Sequence, residues 1–423
     1  MDESPRNVMM RPHASSGCRF CGATLRYSFV DLGMSPFCNT QIEYERLNHM
    51  EPFYPLHAWV CDGCFLVQLE EYVAPENIFS EYAYFSSFSD SWVEHARRYA
   101  EMIRNRFGLS SESLVMEIAS NDGYLLQHFA AAGIPVLGIE PAANIAKEAQ
   151  KRGIRSEVCF HGCKTAIANS NKYGKADLLL GNNVLAHVPD LNDFVAGMKL
   201  LLKPSGVITM EFPHLQRLIE QNQFDTIYHE HFSYFSFFTV SKVFAKHGIR
   251  LFDVDELPTH GGSIRIYGCH VEDAAKPVFD RVGSLLAREL ALGFDRLDTY
   301  QSFSEQVKAT KRQLLALINE LKDQGKTIVG YGAPGKGNTL LNYCGIRTDI
   351  LDYTVDRNPY KQGNFTPGTH IPVLAPETIK ETKPDYILIL PWNLKEEIMG
   401  QMSYVREWGC KFIVPIPVPM ILD

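Results

Sequence analysis

No run of about 18 uncharged apolar residues occurs anywhere in the 423-residue chain, so no segment reads as a membrane-spanning helix. The start Met1-Asp2-Glu3-Ser4-Pro5 lacks basic residues followed by an apolar stretch, so it does not read as a secretory leader. Positive charge is also short: 41 Lys and Arg stand against 49 Asp and Glu, a formal net charge of -8. Nucleic-acid binding is driven by basic side chains that displace counterions, so a long nucleic-acid groove is not expected. Six cysteines (Cys38, Cys159, Cys163, Cys269, Cys344, Cys410) are scattered without a pairing pattern, as in a chain whose thiols stay reduced. These absences lead to the expectation of a cytoplasmic protein with neither membrane nor nucleic-acid partners.

The other four cysteines are organised. Cys18-Arg-Phe-Cys21 is answered by Cys61-Asp-Gly-Cys64, and two such knuckles supply the four thiolates, each about 2.3 Å from the ion, that a structural Zn²⁺ requires. Gly22 gives the first knuckle its turn, and Phe65-Leu-Val is expected to restart a strand after the second. Disulfides are the alternative. The spacing in Cys159-Phe-His161-Gly-Cys163 suits no familiar metal site and reads as a half-buried strand end.

With 45% hydrophobic residues the chain can fill two or three cores. Short strands are expected around the metal over residues 18–78. Apolar residues then recur at helical spacing from Ser89 to Phe107, closed by Gly108. From Leu114 strands and helices alternate through Glu211, the pattern of a doubly wound parallel sheet. A helical stretch covers 277–323, and a second α/β unit starts at Lys326. The division expected is a small zinc ribbon (1–78), a central Rossmann-like domain (79–273) and a C-terminal Rossmann-like α/β domain (274–423), with no internal repeat.

In the central domain the loop Ala119-Ser-Asn121-Asp-Gly123 follows the strand that carries Glu117 and opens a helix, so a cofactor can approach its backbone closely. The loop lacks GxGxxG, the cradle a pyrophosphate needs. That favours S-adenosylmethionine over a dinucleotide. Glu140, at the end of the next strand, is placed to accept hydrogen bonds from ribose hydroxyls. Asn182 and Asn183, ending the third strand, lie where the ligand crevice of such a sheet must be. Blander roles stay open here: Glu117 as a helix cap, Glu140 as a solvated carboxylate.

Chemistry concentrates in Tyr228-His229-Glu230-His231. The spacing is not that of HExxH. If the segment is extended, Tyr228 and Glu230 face one side and His229 and His231 the other. Histidine is a base near neutral pH, and phenol or carboxylate neighbours orient it. A hydrogen-bonded aromatic strand is the competing reading. In the C-terminal unit, Gly330-Tyr-Gly332-Ala-Pro-Gly335-Lys336-Gly337-Asn338 lies between a strand and the expected helix Thr339–Cys344, where phosphate-binding loops occur; a structural turn is its alternative.

Together the two CxxC pairs, Glu117-Ile-Ala-Ser-Asn-Asp-Gly123, Tyr228-His-Glu-His231, Thr259-His260-Gly-Gly-Ser263 and Gly332-Ala-Pro-Gly-Lys-Gly-Asn-Thr339 resemble the nucleotide-sugar C-methyltransferases of unusual deoxysugar biosynthesis, over nearly the whole chain. The resemblance implies a zinc domain, an S-adenosylmethionine domain and a Rossmann-like domain in that order. It implies dTDP- or GDP-4-keto-hexose substrates methylated at C3 or C5, and a monomer or homodimer. By the same resemblance His231 is the catalytic base, Tyr228, Glu230, His187 and Tyr84 support it, and Tyr82 can be confused with Tyr84. Relatives with Asp at the position of His229 deny that residue a catalytic role. Lys336, Gly337, Asn338 and His260 are then expected on the nucleotide-sugar. Two competitors are a nicotinamide-dependent oxidoreductase using the C-terminal glycine loop with Asp356 on the ribose, and a nonenzymatic zinc-ribbon adaptor.

Overall fold

A computed structural model describes residues 17–72 and 86–423; Tyr82 and Tyr84 lie outside the described residues. Three sheets organise them. The first is antiparallel: Tyr27–Ser35, Tyr54–Val60 and Val67–Leu69 pair in order, and a fourth strand, Ser233–Tyr234, comes from the central part of the chain.

Both knuckles close by the same hydrogen bonds. Gly22 N–H donates to the Cys18 carbonyl, and Phe65 N–H to that of Cys61, each at 2.8 Å. Gly22 has φ 78° and Phe65 φ 64°, so Phe65 occupies the left-handed turn position instead of restarting the strand. A side chain there is strained. Its ring stacks on Tyr300 at 5.9 Å, a contact glycine would not make.

The central sheet has the order Ile249–Leu257, Ser263–His270, Leu202–Pro213, Ala176–Asn182, Val115–Ile118, Val136–Ile139, Ser156–Glu157. Six strands run one way, and Ser263–His270 runs against them. The doubly wound expectation holds for the four strands expected before residue 214, and a fifth, Ser156–Glu157, is too short at two residues to show in the pattern. The last two strands form a hairpin that the alternation pattern did not reveal. The helix Asp90–Phe107 begins where expected, with Ser89 Oγ accepting from Trp92 N–H and Gly108 closing it at φ 62°.

The C-terminal sheet is ordered Val373–Leu374, Thr354–Val355, Ile328–Tyr331, Tyr386–Ile389, Lys411–Val414, Met420–Leu422, parallel except at its last edge. Phe29 of the first sheet stacks on Phe303 of the helix Phe303–Asp323 at 4.7 Å, so the N-terminal strands and the C-terminal unit share one core. The helix Asp280–Ala291 instead packs on the central unit, where Glu289 caps the helix Phe237–Lys246 by accepting from Phe237 and Phe238 N–H. Among the described residues no helix is long and apolar enough to cross a membrane.

Candidate active site

The four knuckle cysteines come together as their spacing demands. All four sulfurs lie within 4.8 Å of one another, and the Cys18–Cys64 and Cys21–Cys61 pairs are 3.5 Å apart. Thiolates about 2.3 Å from a tetrahedral Zn²⁺ stand about 3.8 Å apart, so this donor set fits the ion with little adjustment. All ten cysteines are free thiols, which removes the disulfide alternative.

A cavity of about 340 Å³ lies over the carboxyl ends of the four strands from Ala176–Asn182 to Ser156–Glu157. Backbone strain gathers at this place. Eight described non-glycine residues have positive φ, and four of them (Ala119, Asn121, Asn183, His260) line this cavity. Left-handed conformations cost energy and persist where surrounding structure over-determines them, most often at binding sites. Glu140 lines the cavity as well and turns its carboxylate to the loop, accepting from Asn121 N–H and Ala142 N–H, both at 2.9 Å.

The cavity fits S-adenosylmethionine in its polar groups. Both Glu117 oxygens and Asn183 Oδ1 are buried with no hydrogen-bond partner among the described residues. Burial, then the neighbouring charges of Glu140 and Asp122, hold the Glu117 carboxyl well above the usual carboxylate range. Unpaired buried polar atoms are costly, and a ligand carrying an ammonium, a carboxylate and ribose hydroxyls relieves them. Glu117 itself is one residue beneath the lining Ile118. Gly123 does not line the cavity; at φ 78° it lies against Ile154, where an added Cβ would be 3.0 Å from that side chain.

The segment Tyr228–His231 is a turn, not an extended strand: His231 N–H donates to the Tyr228 carbonyl at 2.8 Å. The expected alternation of faces therefore fails. Tyr228 and His231 share a side, their rings 4.0 Å apart, while His229 enters an aromatic nest of Phe37, Tyr54 and Tyr72 and bonds the Pro55 carbonyl. Glu230 Oε1 accepts from Asn39 Nδ2 at 2.7 Å. His187, which lines the cavity, sits 4.7 Å from the His231 ring.

Hydrogen bonds set the tautomers. His231 Nδ1 lies 2.9 Å from the Thr226 carbonyl and His187 Nδ1 lies 2.8 Å from that of Glu230. A carbonyl only accepts, so each Nδ1 carries the proton and the lone pair resides on Nε2. Burial pushes both imidazoles down, His187 to about 4 and His231 well below its ordinary value, the latter aided by the charge of His187. Both rings are neutral at physiological pH.

Three parts of the chain grip this turn. Leu69 N–H donates to the Phe232 carbonyl at 3.0 Å, and Phe232 N–H to the Ala186 carbonyl at 2.7 Å. From inside the first knuckle, the Arg19 guanidinium donates to the carbonyls of Pro189 and Leu69 and lies over the Phe232 ring. From the C-terminal unit, Thr339 donates to the Ile227 carbonyl and Trp392 Nε1 to Asp225.

The C-terminal glycine loop is largely helical, since the helix begins at Gly335 and not at Thr339. An added Cβ on Gly337 would lie 2.9 Å from Leu390, so Gly337 serves packing within the C-terminal unit, and Asn338 Nδ2 donates to the Cys38 carbonyl, which ties that unit to the N-terminal one. Lys336 differs. Its Nζ reaches Asn393 Oδ1 at 2.8 Å above the Trp392 ring, its pKa lowered by burial while the Asp225 charge opposes, and its charge is felt at His231 and His260. Asp356, the ribose residue of the nicotinamide alternative, has its carboxylate engaged by Ala333 N–H of the glycine loop and Asn358 N–H of its own.

One cluster escaped sequence reasoning. Glu211, fully buried at the end of its strand, accepts from His95 Nε2, Arg265 Nη2 and Thr259 Oγ1. Burial raises its pKa, but the His95 hydrogen bond and the Arg265 charge outweigh that and bring it to about 2. Thr259 carries His260, whose Nε2 is 2.9 Å from Asn183 Nδ2, so His260 faces the cofactor cavity. The partners are 116, 54 and 48 residues away in sequence, which is why no local pattern reveals them.

Comparison with known proteins agrees with this layout. A family model described as "Putative zinc binding domain" matches residues 18–79, one described as "Methyltransferase domain" matches 92–254, and "C-methyltransferase C-terminal domain" matches 258–417. The C-methyltransferase NovU of Streptomyces niveus is 35% identical over 406 residues, 96% of this chain and 96% of its own. A ubiquinone biosynthesis O-methyltransferase of Rhodopseudomonas palustris (strain TIE-1) is 23% identical over 152 residues, 31% of this chain and 60% of its own. Among solved structures, the magnesium protoporphyrin IX methyltransferase ChlM of Synechocystis PCC 6803 with bound SAH is 14% identical, covering 42% of this chain and 82% of that one at a TM-score of 0.34. Similarity to NovU along almost the entire length, with three family models in the order zinc, methyltransferase, C-methyltransferase, shows that the chain belongs to the C-methyltransferase family, as an S-adenosylmethionine-dependent enzyme with an N-terminal zinc-binding domain.

Proposed function

We propose that the protein methylates a ring carbon of a dTDP- or GDP-4-keto-deoxyhexose, at C3, after removing the proton beside the ketone. The observation that carries this reading is the placement of His231 Nε2, unprotonated and held by the Thr226 carbonyl behind it, next to His187 at the edge of the cofactor cavity. Carbon is a poor nucleophile, so C-methylation needs a base that creates an enolate first. His231 takes the proton on Nε2. Tyr228, whose ring lies 4.0 Å from that of His231, donates its hydroxyl to the enolate oxygen at C4, and one such donor typically contributes about 3 kcal/mol, while the neutral His187, its proton held by the Glu230 carbonyl, supports the His231 ring. Glu230, tied to Asn39, fixes the turn between the two histidines. When bound, S-adenosylmethionine supplies an electrophilic methyl group. Glu140, Asn121 and Asn183 hold it, and Lys336 with His260 faces the sugar nucleotide.

The same reading divides the chain at about residues 78 and 273, places the protein in the cytoplasm and gives Tyr84 a supporting role. Incubation with S-adenosylmethionine and a panel of dTDP- and GDP-4-keto sugars is expected to give a product heavier by one methyl, with NMR locating it on C3. A product methylated on oxygen, or no product with any keto sugar, would overturn the proposal.

A further inference from the structure

His161 has no task in the chemistry above, yet its state calls for one. It lines the cofactor cavity, and its ring nitrogens are buried with no partner among the described residues except the backbone carbonyl of Phe194, which one of them faces. The ring is not loosely held: it stands edge-to-face on Phe194 at 5.1 Å and 84°. Buried imidazole nitrogens are normally satisfied, so a polar ligand atom is the partner missing from this end of the cavity.

The order of the sheet says which part of the ligand that is. The cavity crosses the ends of four adjacent strands: Asn182 and Asn183 end the first, Ala119 follows the second, Glu140 the third, and His161 lies beyond the fourth. His187, which follows the first of these and packs on His231, marks the reacting side in the proposed function on which this inference rests. Three strand spacings separate the two ends, about 14 Å. A cofactor whose sulfonium faces His187 and whose ribose meets Glu140 must lay its base over the fourth strand. We infer that His161 reads the adenine of the cofactor, accepting a hydrogen bond from the exocyclic amino group.

The direction of that bond follows from the ring's surroundings. Burial brings His161 to about 4, so the ring is neutral and offers one donor and one acceptor. The backbone carbonyl of Phe194 favours the proton on the nitrogen that faces it, leaving the other as acceptor. Asp193 and Asp190 also line this end. The Asp193 carboxylate is turned to Cys163 N–H at 3.2 Å and that of Asp190 to Asp193 N–H at 3.0 Å, while the imidazole nitrogen away from Phe194 has no protein donor to accept from.

The test pairs enzyme and ligand changes in a binding cycle read by calorimetry on the full chain. Wild type is expected to bind S-adenosylhomocysteine about 10-fold more tightly than its 6-deamino purine analogue, one neutral hydrogen bond. His161→Phe is expected to lose about 10-fold for S-adenosylhomocysteine and to bind the analogue as wild type does, while His161→Gln, which keeps an acceptor, retains most of the discrimination. Equal losses for both ligands, or no loss for either, would overturn the inference. If His161→Phe unfolds, discrimination by wild type and its retention in His161→Gln decide the matter; a wild type indifferent to the amino group refutes it. Failure of wild type to bind S-adenosylhomocysteine at all would overturn the cofactor assignment, and this inference with it.

Discussion

Leu69 donates its backbone N–H to the carbonyl of Phe232, 3.0 Å away, and Phe232 directly follows the candidate base His231. Leu69 ends a strand of the zinc-bearing sheet, whose Gln68 donates Nε2 to Cys18 Sγ at 3.2 Å. Two residues of one short strand thus touch a knuckle cysteine and the turn that carries the candidate base. The zinc-bearing sheet is a wall of the candidate site.

Replacing Cys61 and Cys64 by Ser is therefore expected to remove the single zinc, lower thermal stability by several kcal/mol, and reduce turnover in whatever fraction stays folded. Metal analysis and product formation on the same sample check this. A metal-free, folded variant with wild-type turnover would separate the zinc domain from catalysis and refute the coupling.

His231→Asn is expected to cut turnover by about 10² to 10⁴ with little change in S-adenosylmethionine affinity, the range for losing a general base. Exchange of the substrate proton beside the ketone with deuterated solvent should fall in parallel, since both need the same enolate. His229→Ala should behave oppositely, because its ring packs among Phe37, Tyr54 and Tyr72: a stability loss of about 1 to 3 kcal/mol by urea denaturation, with exchange largely kept in the folded protein. Wild-type exchange in His231→Asn would move the base elsewhere.

The lowered histidines predict where activity fails in acid. A base works when unprotonated, and burial holds His231 well below its ordinary 6.5 and His187 at about 4. The acid limb of kcat/KM, which reports the free enzyme, should therefore lie below 6.5 and the profile should be flat above it. Solvent-exchange rates measured from pH 4.5 to 8 test this. A midpoint at or above 6.5 would mean that His231 is solvated or paired with an anion.

Glu140→Ala is expected to weaken S-adenosylmethionine binding about 10- to 100-fold, through lost ribose hydrogen bonds and release of the loop held at Asn121 N–H. Glu140→Gln keeps one acceptor and should lose less. Calorimetry showing unchanged affinity in both variants would remove Glu140 from the site.

Much of this was written in local sequence. Knuckle spacing determines a thiolate tetrahedron because two short turns suffice to build it, and alternating apolar strands with helices determine four of the first five strands of the central sheet, Ser156–Glu157 being too short to register. The cofactor end of the site was legible for the same reason: Ala119, Asn121, Glu140, Asn182 and Asn183 sit at strand ends, and in such a sheet those ends form the crevice. Tertiary structure alone decided the rest. The Tyr228–His231 turn, with Tyr228 on the His231 side, depends on partners up to 191 residues away, among them Pro55, Asn39 and Leu69. The Glu211 cluster and the buried His161 were silent because buried polar residues acquire meaning from what surrounds them, and the carboxylate at the end of a strand reads alike whether it meets water or an arginine. The glycines from Gly335 to Gly337 were read as a phosphate loop for a related reason: small residues are equally suited to approach a ligand or a neighbouring strand, and only the position of Leu390 chose packing.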